Sequence, residues 1–528
     1  MRFPFPVVLL CTAAVATACT DTTTPSAEGT VDDSSIVLAD QREPATLNPL
    51  LGFGSLGASK VHDGLVAHRA DRALEPDLAA DLPVPSADGR AWTVPLRQDV
   101  RFSDGTAFGP EDVVATYRAL LDPAAGSTVR ASFGALTAVE QVDATTVRFV
   151  LDRPQPAFPH LLVLGVLPSE AIVPGAPLAS AAVGTAPVGT GPYRLAEWRR
   201  GDRLVLEANP EHAGPAPRIT RVTVVFVPDD NTRAQRMQAG EFDGAALPPR
   251  LVSSFSDVGG MRVVSHRAAD ARVVALPSGG PVTGNAAVRG ALNVAVDRDN
   301  VVKALLAGRG TASGTPLPPV LPEFAEPGAG FARDADAAKR LLDEGGWVPG
   351  ADGVRVRDGV PARFTLMYQL GDAVDVDLAT AFAADARAVG IDVQLAGLSA
   401  EAVVPRLRQD AVLHHVGNPF DPDLATYRTL RSTSSPTGFD NPGAYADPAV
   451  DAALDAGRTL LDPGQRAVAY RQLQRAWTAA PGSVYLAWVD HTYVLRDNWT
   501  GYTDVVDGDS TSALTWGPWW NLETWTPK

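Results

Sequence analysis

The sequence predicts an α/β protein that divides into two or more separately packed lobes. At 528 residues the chain is longer than a single hydrophobic core usually serves. Strand-like and helix-like stretches are mixed throughout, beginning with the alternating run SSIVLAD at 34–40. In 376–398 the spacing of the apolar residues changes from helical to alternating at Gly390. That change is typical of a helix that leads into a sheet strand.

The stretch 87–122 illustrates how one strand and one helix are delimited. Asp-Gly turns at 88–89 and 104–105 bound a strand that carries Trp92, Val94 and Leu96 on one side. In GPEDVVATYRALLD, Pro110 suits the first helical position, and the two acidic residues after it favour the positive end of the helix dipole. We therefore predict a helix with an apolar face formed by Val113, Val114, Tyr117, Leu120 and Leu121.

Two later stretches indicate further elements of the same kind. DADAAKRLLDEGGW, at 334–347, predicts a helix that ends at Gly345 and Gly346. ADGVRVRDGV, at 351–360, predicts a short strand between two Asp-Gly turns. The middle of the chain is thus expected to be α/β.

The charge of the chain limits its partners. Lys and Arg number 45 against 61 Asp and Glu, which gives a formal net charge of -16 at pH 7, and no basic run is present. These features argue against nucleic acid or an anionic membrane surface as a partner.

The first nineteen residues contain both cysteines of the chain, Cys11 and Cys19. Arg2 is followed by an apolar segment too short to span a bilayer, so we predict an export signal at 1–18. No later run of eighteen apolar residues is present, and we expect no other membrane segment.

The residues around Cys19 specify the kind of signal. Small residues precede this cysteine and resemble a bacterial lipobox, although Ala16 stands where leucine is usual. We expect a lipid on Cys19, which would leave the mature chain without a free thiol. The polar run at 19–34 is then a flexible tether. The alternative is an ordinary secretory peptide that is cleaved near Ala18.

Patterns that suggest an enzyme are weak. GFGSLG, at 52–57, fits the glycine spacing of dinucleotide-binding loops, but prolines separate it from the nearest strand, and we expect a mobile loop facing a cleft. Ser55 lacks the glycine two residues earlier that a nucleophile elbow requires. His414 and His415 should point to opposite faces of a strand and cannot easily share a metal ion. We predict no catalytic residue, no metal and no cofactor.

Seven stretches, in order along the chain, carry a family resemblance. Four are in the first half: PATLNPL with VHDGLV (44–66), 75–122, VGTGPYRLAEWRRGDRLVLEANPEH (188–212) and RAQRMQAGEFDGA (233–245). Three are in the second half: 288–319, 337–359 and 445–488. Together they resemble the family 5 extracellular solute-binding proteins, the peptide and nickel receptors of bacterial ABC importers.

The resemblance implies an α/β, two-lobed clamshell of the periplasmic-binding-protein type II class, with an extra subdomain in lobe I. By analogy, lobe I takes residues 35–265 plus 490–528, and the subdomain takes about 60–180 of these. Lobe II takes residues 266–489. A solute that touches both lobes would stabilise the closed form.

The resemblance also implies a function. Crossings near 266–275 and 484–492 would form a hinge. The protein would be a monomeric extracytoplasmic lipoprotein, anchored to the cell membrane through Cys19, that delivers an oligopeptide or peptide-like solute to the ABC permease and has no chemistry of its own. The alternatives are a receptor for a nickel chelate or another small solute, a lipoprotein hydrolase, and a structural or adhesion lipoprotein.

One segment bears on the ligand. In peptide-binding members a W-x-x-D-Y-x-D-P segment supplies an Asp for the peptide α-ammonium. The similar segment here, LHHVGNPFDPDLATY at 413–427, puts Asn418 at that position and His415 near the aromatic one. A neutral Asn cannot neutralise a buried ammonium, so free-amino peptides need another carboxylate, such as Asp421 or Asp423. The alternative is that Asn418 only caps a turn.

The same segment also resembles the W-G-x-P-Y-D-P run of nickel receptors, with Val416 in place of the tryptophan. The stretch 164–174 carries no arginine of the kind that those receptors use for a carboxylated chelator, so Arg130 would supply the positive charge. The expected ligand-binding residues are Phe53, Ser55, Leu56 and Arg130 in lobe I and His415, Gly417, Asn418, Phe420 and Asp421 in lobe II.

Overall fold

The computed structural model describes residues 34–432 and 439–528. The predicted signal segment, nearly all of the predicted tether and Cys19, the predicted site of lipidation, lie outside the described residues. Among the helices of the described part, none has the length and apolar character needed to cross a membrane.

Helices occur mainly after residue 285. In chain order they are α1 (Pro110–Leu121), α2 (Asp230–Gln238), α3 (Pro249–Val252), α4 (Ala286–Ala295), α5 (Arg298–Asn300), α6 (Ala335–Glu344), α7 (Ala373–Ala388), α8 (Ala400–Val403), α9 (Pro422–Leu430), α10 (Pro448–Thr459) and α11 (Pro463–Ala479).

Strands occur along the whole described chain. In chain order they are β1 (Ser35–Asp40), β2 (Val66–His68), β3 (Leu74–Pro76), β4 (Val84–Pro85), β5 (Ala91–Pro95), β6 (Leu136–Gln141), β7 (Thr146–Leu151), β8 (Tyr193–Arg199), β9 (Arg203–Ala208), β10 (Arg221–Phe226), β11 (Gly244–Ala246), β12 (Met261–His266), β13 (Ala271–Ala275), β14 (Gly310–Thr311), β15 (Val348–Pro349), β16 (Arg355–Arg357), β17 (Val360–Pro361), β18 (Arg363–Gln369), β19 (Asp392–Leu398), β20 (Ala411–Val416), β21 (Ser483–Val489), β22 (His491–Arg496), β23 (Trp499–Thr500) and β24 (Thr526–Pro527).

A seven-stranded sheet forms the centre of the first lobe, with the strand order β12-β22-β11-β1-β10-β9-β8. Strand β1 runs parallel to both β10 and β11, whereas β22 is antiparallel to its neighbours β11 and β12. Alternate residues of β1 enter two different apolar cores, because successive side chains of a strand point to opposite faces. Leu38 belongs to one core and Ala39 to the other.

A six-stranded sheet forms the centre of the second lobe, with the order β14-β21-β13-β20-β18-β19. It is also covered on both faces: Val274 packs into the core that contains α4 and α7, and Val273 packs into the core that contains α10 and α11. Burial on both faces explains why β21 is buried at every position.

A third apolar core is built from residues 50–183. It contains side chains of β5, β6 and β7, three strands of the four-stranded sheet β4-β5-β7-β6, and the apolar face of α1. Tyr117 of α1 packs edge-on against Phe149 of β7, with ring centroids 4.8 Å apart. The hairpin β2–β3 projects from this core toward the cleft between the lobes.

The chain passes between the two large sheets twice. Residues 267–270 connect β12 to β13, and Asp490 alone connects β21 to β22. The C-terminal segment then passes the first connection, where Asp507 forms an isolated β-bridge with Ala268.

Several sequence predictions about single elements are confirmed. Helix α1 begins at Pro110, and the buried side chains of its apolar face include Val113 and Tyr117. The change of pattern at Gly390 separates α7 from β19. The predicted helix near 335 and the short strand near 355 are α6 and β16.

Candidate functional site

The candidate site is a cavity of about 290 Å³ between the two lobes, called here the larger cleft cavity. One wall comes from the loop at 55–56, from His68 of β2 and from His160. The other wall comes from the end of β20 and from the segment 417–429. A site with walls from both lobes is one that can open and close with them.

Six of the nine predicted ligand-binding residues lie around this cavity. They are Ser55, Leu56, His415, Gly417, Asn418 and Phe420. The glycine-rich loop brings Ser55 there through left-handed backbone at Gly52, Gly54 and Gly57, where φ lies between 69° and 96°.

Three predicted residues are not in the cavity wall. Phe53 packs into the core of the first sheet, and Arg130 is exposed at the start of a short 3₁₀ turn. Asp421 points to Arg466, whose guanidinium donates two hydrogen bonds to its carboxylate, at 2.8 and 3.0 Å. We therefore leave these three residues out of the site.

Asn418 caps a turn at the cavity wall. Its Oδ1 accepts hydrogen bonds from the backbone amides of Phe420 at 2.9 Å and Asp421 at 3.4 Å. This is the alternative role considered for Asn418, and the geometry is that of an Asx turn. Asp423, the other carboxylate considered, accepts from Arg458 at 2.7 Å and from Gln155 at 3.0 Å, so its charge is already balanced.

Side chains bridge the two lobes beside the cavity. Gln155 of the first lobe donates a hydrogen bond to Asp423 of the second lobe. Arg428 of the second lobe donates to Ser132 Oγ of the first lobe at 2.8 Å. The rings of His68 and Phe420 are stacked, with centroids 3.4 Å apart. The lobes are thus in direct contact, as expected for a closed cleft.

A second cavity, of about 80 Å³, adjoins the first and is called here the smaller cleft cavity. The two cavities share His415 and Asp509 in their linings. Arg272 of β13 also lines the smaller cavity, and its Nη1 lies 2.6 Å from Asp375 Oδ1, 2.6 Å from His415 Nε2 and 3.2 Å from Asp372 Oδ2.

Asp372, Asp375 and His415 have the residue types and spacing of a metal site. The Arg272 guanidinium, however, lies among their ligand atoms and supplies the positive charge there. Burial alone would lower the pKa of Arg272. The negative charges of Asp270, Asp372 and Asp375 outweigh that effect and raise the pKa well above its usual value. In this arrangement the three residues bind an arginine and not a metal ion.

The two chain connections are joined by buried ionic contacts. His491 lies between Asp270, at 3.1 Å, and Asp507, also at 3.1 Å. Burial would lower the pKa of His491, but hydrogen bonds to these two carboxylates raise it to about 9. Burial would likewise raise the pKa of Asp507, but His266 and His491 lower it to about 2.

Sequence reasoning missed Arg272, Asp375 and Asp509. They come from three distant parts of the chain and carry no shared motif. The one local signal is the acidic start of α7, where Asp372 caps the helix and Asp375 lies in its first turn. The prediction that His414 and His415 point to opposite faces is confirmed, since His414 faces the pocket beside Tyr445 and His415 faces the cleft.

A larger cavity of about 740 Å³ lies elsewhere, between α1 and the segment 169–183. All of its lining belongs to residues 115–183. It has no wall from the second lobe, so lobe closure cannot enclose a ligand there.

Comparisons with known proteins agree with this architecture. The model of the family described as bacterial extracellular solute-binding proteins, family 5 Middle, matches residues 73–437. Protein XP55 of Streptomyces lividans is 43% identical over 507 residues, which cover 96% of this chain and 93% of that protein.

Two further relatives have names that state a ligand. The oligopeptide-binding protein AppA of Bacillus subtilis is 23% identical over 431 residues, 78% of each chain. The crystal structure of NikZ from Campylobacter jejuni, in complex with Ni(L-His), matches with a TM-score of 0.85 and 25% identity, over 94% of this chain and 100% of that chain. The predicted two-lobed α/β architecture is thereby confirmed. The chain belongs to the family 5 bacterial extracellular solute-binding proteins.

Proposed function

We propose that this protein is the substrate receptor of an ABC importer and captures a small peptide-like solute between its lobes. In this proposal lobe I consists of residues 35–265 and 490–528, and lobe II consists of residues 266–489. The connections at 267–270 and 490 act as the hinge.

The larger cleft cavity carries this proposal. Its walls come from both lobes, and paired side chains such as Gln155 and Asp423 link the lobes at its edge. A ligand that fills the cavity contacts both walls and so stabilises the closed form over the open one. A permease can therefore distinguish the closed, ligand-bound receptor from the open, empty one.

The size of the cavity favours a small solute. At about 290 Å³ it lies at the lower end of the roughly 300–1,000 Å³ typical of ligand pockets. A short peptide fits this range better than a long one. A metal chelate is the second candidate, because NikZ, which matches at a TM-score of 0.85, is described with Ni(L-His).

The test starts from protein that has been unfolded and refolded to remove bound solute. Thermal shift is measured with di- to pentapeptides, their N-acetylated forms and nickel chelates, and native mass spectrometry reports what is bound. A true ligand at one hundred times its Kd should add about 2.7 kcal/mol to the free energy of unfolding. No shift with any of these solutes would overturn the proposal, and recovery of cleaved peptide would favour a hydrolase.

Two variants make this test specific for the cleft. Ser55→Trp places a large ring in the cavity wall and should abolish the shift. Ser254→Trp, at an exposed position outside both cavities, is the matched control and should keep the shift. Equal shifts in the two variants would place the ligand elsewhere.

We further propose that the receptor is held at the cell membrane by a lipid on Cys19. The support is the run of small residues before this cysteine. Cys19→Ser should release the protein from the membrane fraction into the medium when it is expressed in a bacterium that processes lipoproteins. Retention of this variant on the membrane would contradict the anchor.

A further inference from the structure

Two cations beside the smaller cleft cavity are each shared by several carboxylates, and the buried Arg233 of its lining is paired with Asp230. Three carboxylates, those of Asp270, Asp372 and Asp375, contact the single guanidinium of Arg272. His491 in turn is shared by Asp270 and Asp507. Arg42, also in the lining, is exposed to water, which screens its charge.

Asp509 is a carboxylate without such a partner. It lines both cleft cavities, yet within residues 34–432 and 439–528 its side chain forms no ion pair and accepts no hydrogen bond from another residue. Burial raises the pKa of Asp509 to about 6 and the charge of Asp270 adds to the shift, while His415 and His491 act in the opposite direction. The ionised form of a carboxylate without an ion-pair partner is stabilised by any cation that comes close to it.

An independent observation points to the same place. Asp270 is completely buried and lines the smaller cavity, and its Oδ1 has no hydrogen-bond partner although its Oδ2 contacts Arg272 and His491. A buried carboxylate oxygen without a donor is costly. A donor that enters from the cavity would satisfy it.

In the opposite wall, the carboxylates of the described residues are already paired with arginines. Position 418 is a neutral Asn that is engaged in a turn, and Asp421 and Asp423 are each paired with an arginine. A cationic group in the cleft is therefore attracted toward the C-terminal segment of the chain and not toward the segment 417–423.

We propose that Asp509, assisted by Asp270, forms a subsite for a protonated amine of the solute. This inference rests on the proposed function and adds the chemical class of the ligand: a small solute that carries an ammonium group. The ammonium donates to Asp509 and to the free oxygen of Asp270, and the rest of the solute extends into the larger cleft cavity past His415.

The test compares paired probes on wild type and variants by isothermal titration calorimetry at pH 7.5. The probes are di- and tripeptides of alanine with a free amino group and the same peptides with an acetylated one. Wild type should prefer the free-amino form, and Asp509→Asn should weaken that form about thirtyfold or more while leaving the acetylated form unchanged.

Two further variants guard against misfolding and general charge effects. Asp509→Glu keeps the charge and should retain the preference for the free-amino form. Asp257→Asn removes an exposed carboxylate without a described partner and should behave as wild type. Circular dichroism and the denaturation midpoint show whether each variant is folded.

The outcomes separate the two proposals. Equal binding of both forms by wild type, or an unchanged preference in Asp509→Asn, would overturn the ammonium subsite and leave the receptor function standing. If wild type binds only acetylated peptides or only chelates, the ammonium subsite is likewise overturned and the receptor function stands. If wild type binds no member of the wider panel of peptides and chelates, both proposals fall.

Discussion

At His491 the effects of burial and of neighbouring charge on the pKa oppose each other. Its imidazole is buried, yet two carboxylates keep it protonated, with a pKa raised to about 9. It belongs to the strand that returns from the second lobe to the first, and its partner Asp270 lies in the other connection. The ion pair thus fixes the start of β22 to the connection at 267–270.

This contact predicts a pH dependence of stability. A histidine pKa that is raised from about 6.5 in the unfolded chain to about 9 contributes stability that is complete below pH 6.5 and lost as the pH rises through 9. The full contribution is roughly 3 kcal/mol. Urea unfolding between pH 6.5 and 9.5 should show a decline in wild type that is much flatter in His491→Gln.

A histidine outside the hinge serves as the control for that experiment. His212 contacts a backbone carbonyl, that of Thr190, and His212→Gln should keep the wild-type slope. Parallel profiles for wild type and His491→Gln would contradict the assigned role of His491.

Asn418 gives a second prediction at the scale of a residue. Asp at this position can accept the same two backbone hydrogen bonds, so Asn418→Asp should keep the turn, whereas Asn418→Ala should cost about 1 kcal/mol of the free energy of unfolding. Because the ammonium subsite is assigned to Asp509 and Asp270, the added charge in Asn418→Asp should leave the ratio of free-amino to acetylated peptide binding unchanged. An improved ratio would place the ligand amine at position 418 instead.

The residues of the site differ in how far the sequence could predict them. Asn418 and His415 were found because they lie within one short segment that resembles a family motif. Arg272, Asp375 and Asp509 meet only after β13, α7 and the C-terminal segment have been brought together. No local pattern encodes a contact between residues separated by more than one hundred positions.

At the scale of the element, the end of β20 is fixed by a close backbone approach. A Cβ added to Gly417, where φ is 155°, would lie only 1.7 Å from the carbonyl oxygen of Ala269. That oxygen belongs to the connection between the sheets. Gly417 is a predicted ligand-binding residue, and it does lie in the cavity wall. The stronger reason for a glycine at this position is that any side chain would collide with the connection.

Gly417→Ala should therefore be strongly destabilising. Because backbone atoms cannot move aside as a flexible side chain can, we expect a cost on the order of 4 kcal/mol or failure to fold. Gly259→Ala, at a site with no atom within 4 Å of the added Cβ, should change the free energy of unfolding by less than about 0.5 kcal/mol. Denaturant midpoints measure both, and similar values for the two variants would contradict this account.

Elements were predictable where the pattern was local. The strand and helix signals around α1 and around Gly390 rest on turn residues and apolar spacing within about twenty residues. The neighbours of each strand were not predictable in this way: β22, near the C-terminus, lies between β11 and β12 in the first sheet. That pairing joins parts of the chain more than two hundred residues apart.

At the scale of the whole described structure, two sheets with separate cores are linked by short connections, and the third core reaches across the cleft. The hairpin β2–β3 is one of its points of contact with the second lobe. Arg72, in the turn of that hairpin, donates to the carbonyl oxygens of Val320 at 2.6 Å and Pro419 at 3.2 Å. Both acceptors belong to the second lobe, so these bonds exist only when the lobes are together.

Arg72→Ala should therefore shift the ligand-free protein toward an open form. Loss of about 1.4 kcal/mol from the closed state alone would change the closed-to-open ratio tenfold. The radius of gyration in small-angle scattering should rise, and the affinity for the ligand should fall, because the ligand must then provide the free energy of closure. Arg69→Ala is the matched control, since Arg69 lies on the same hairpin, is about half exposed and pairs with Asp71 of that hairpin. A wild-type radius and affinity in Arg72→Ala would mean that the hairpin follows lobe closure without stabilising it.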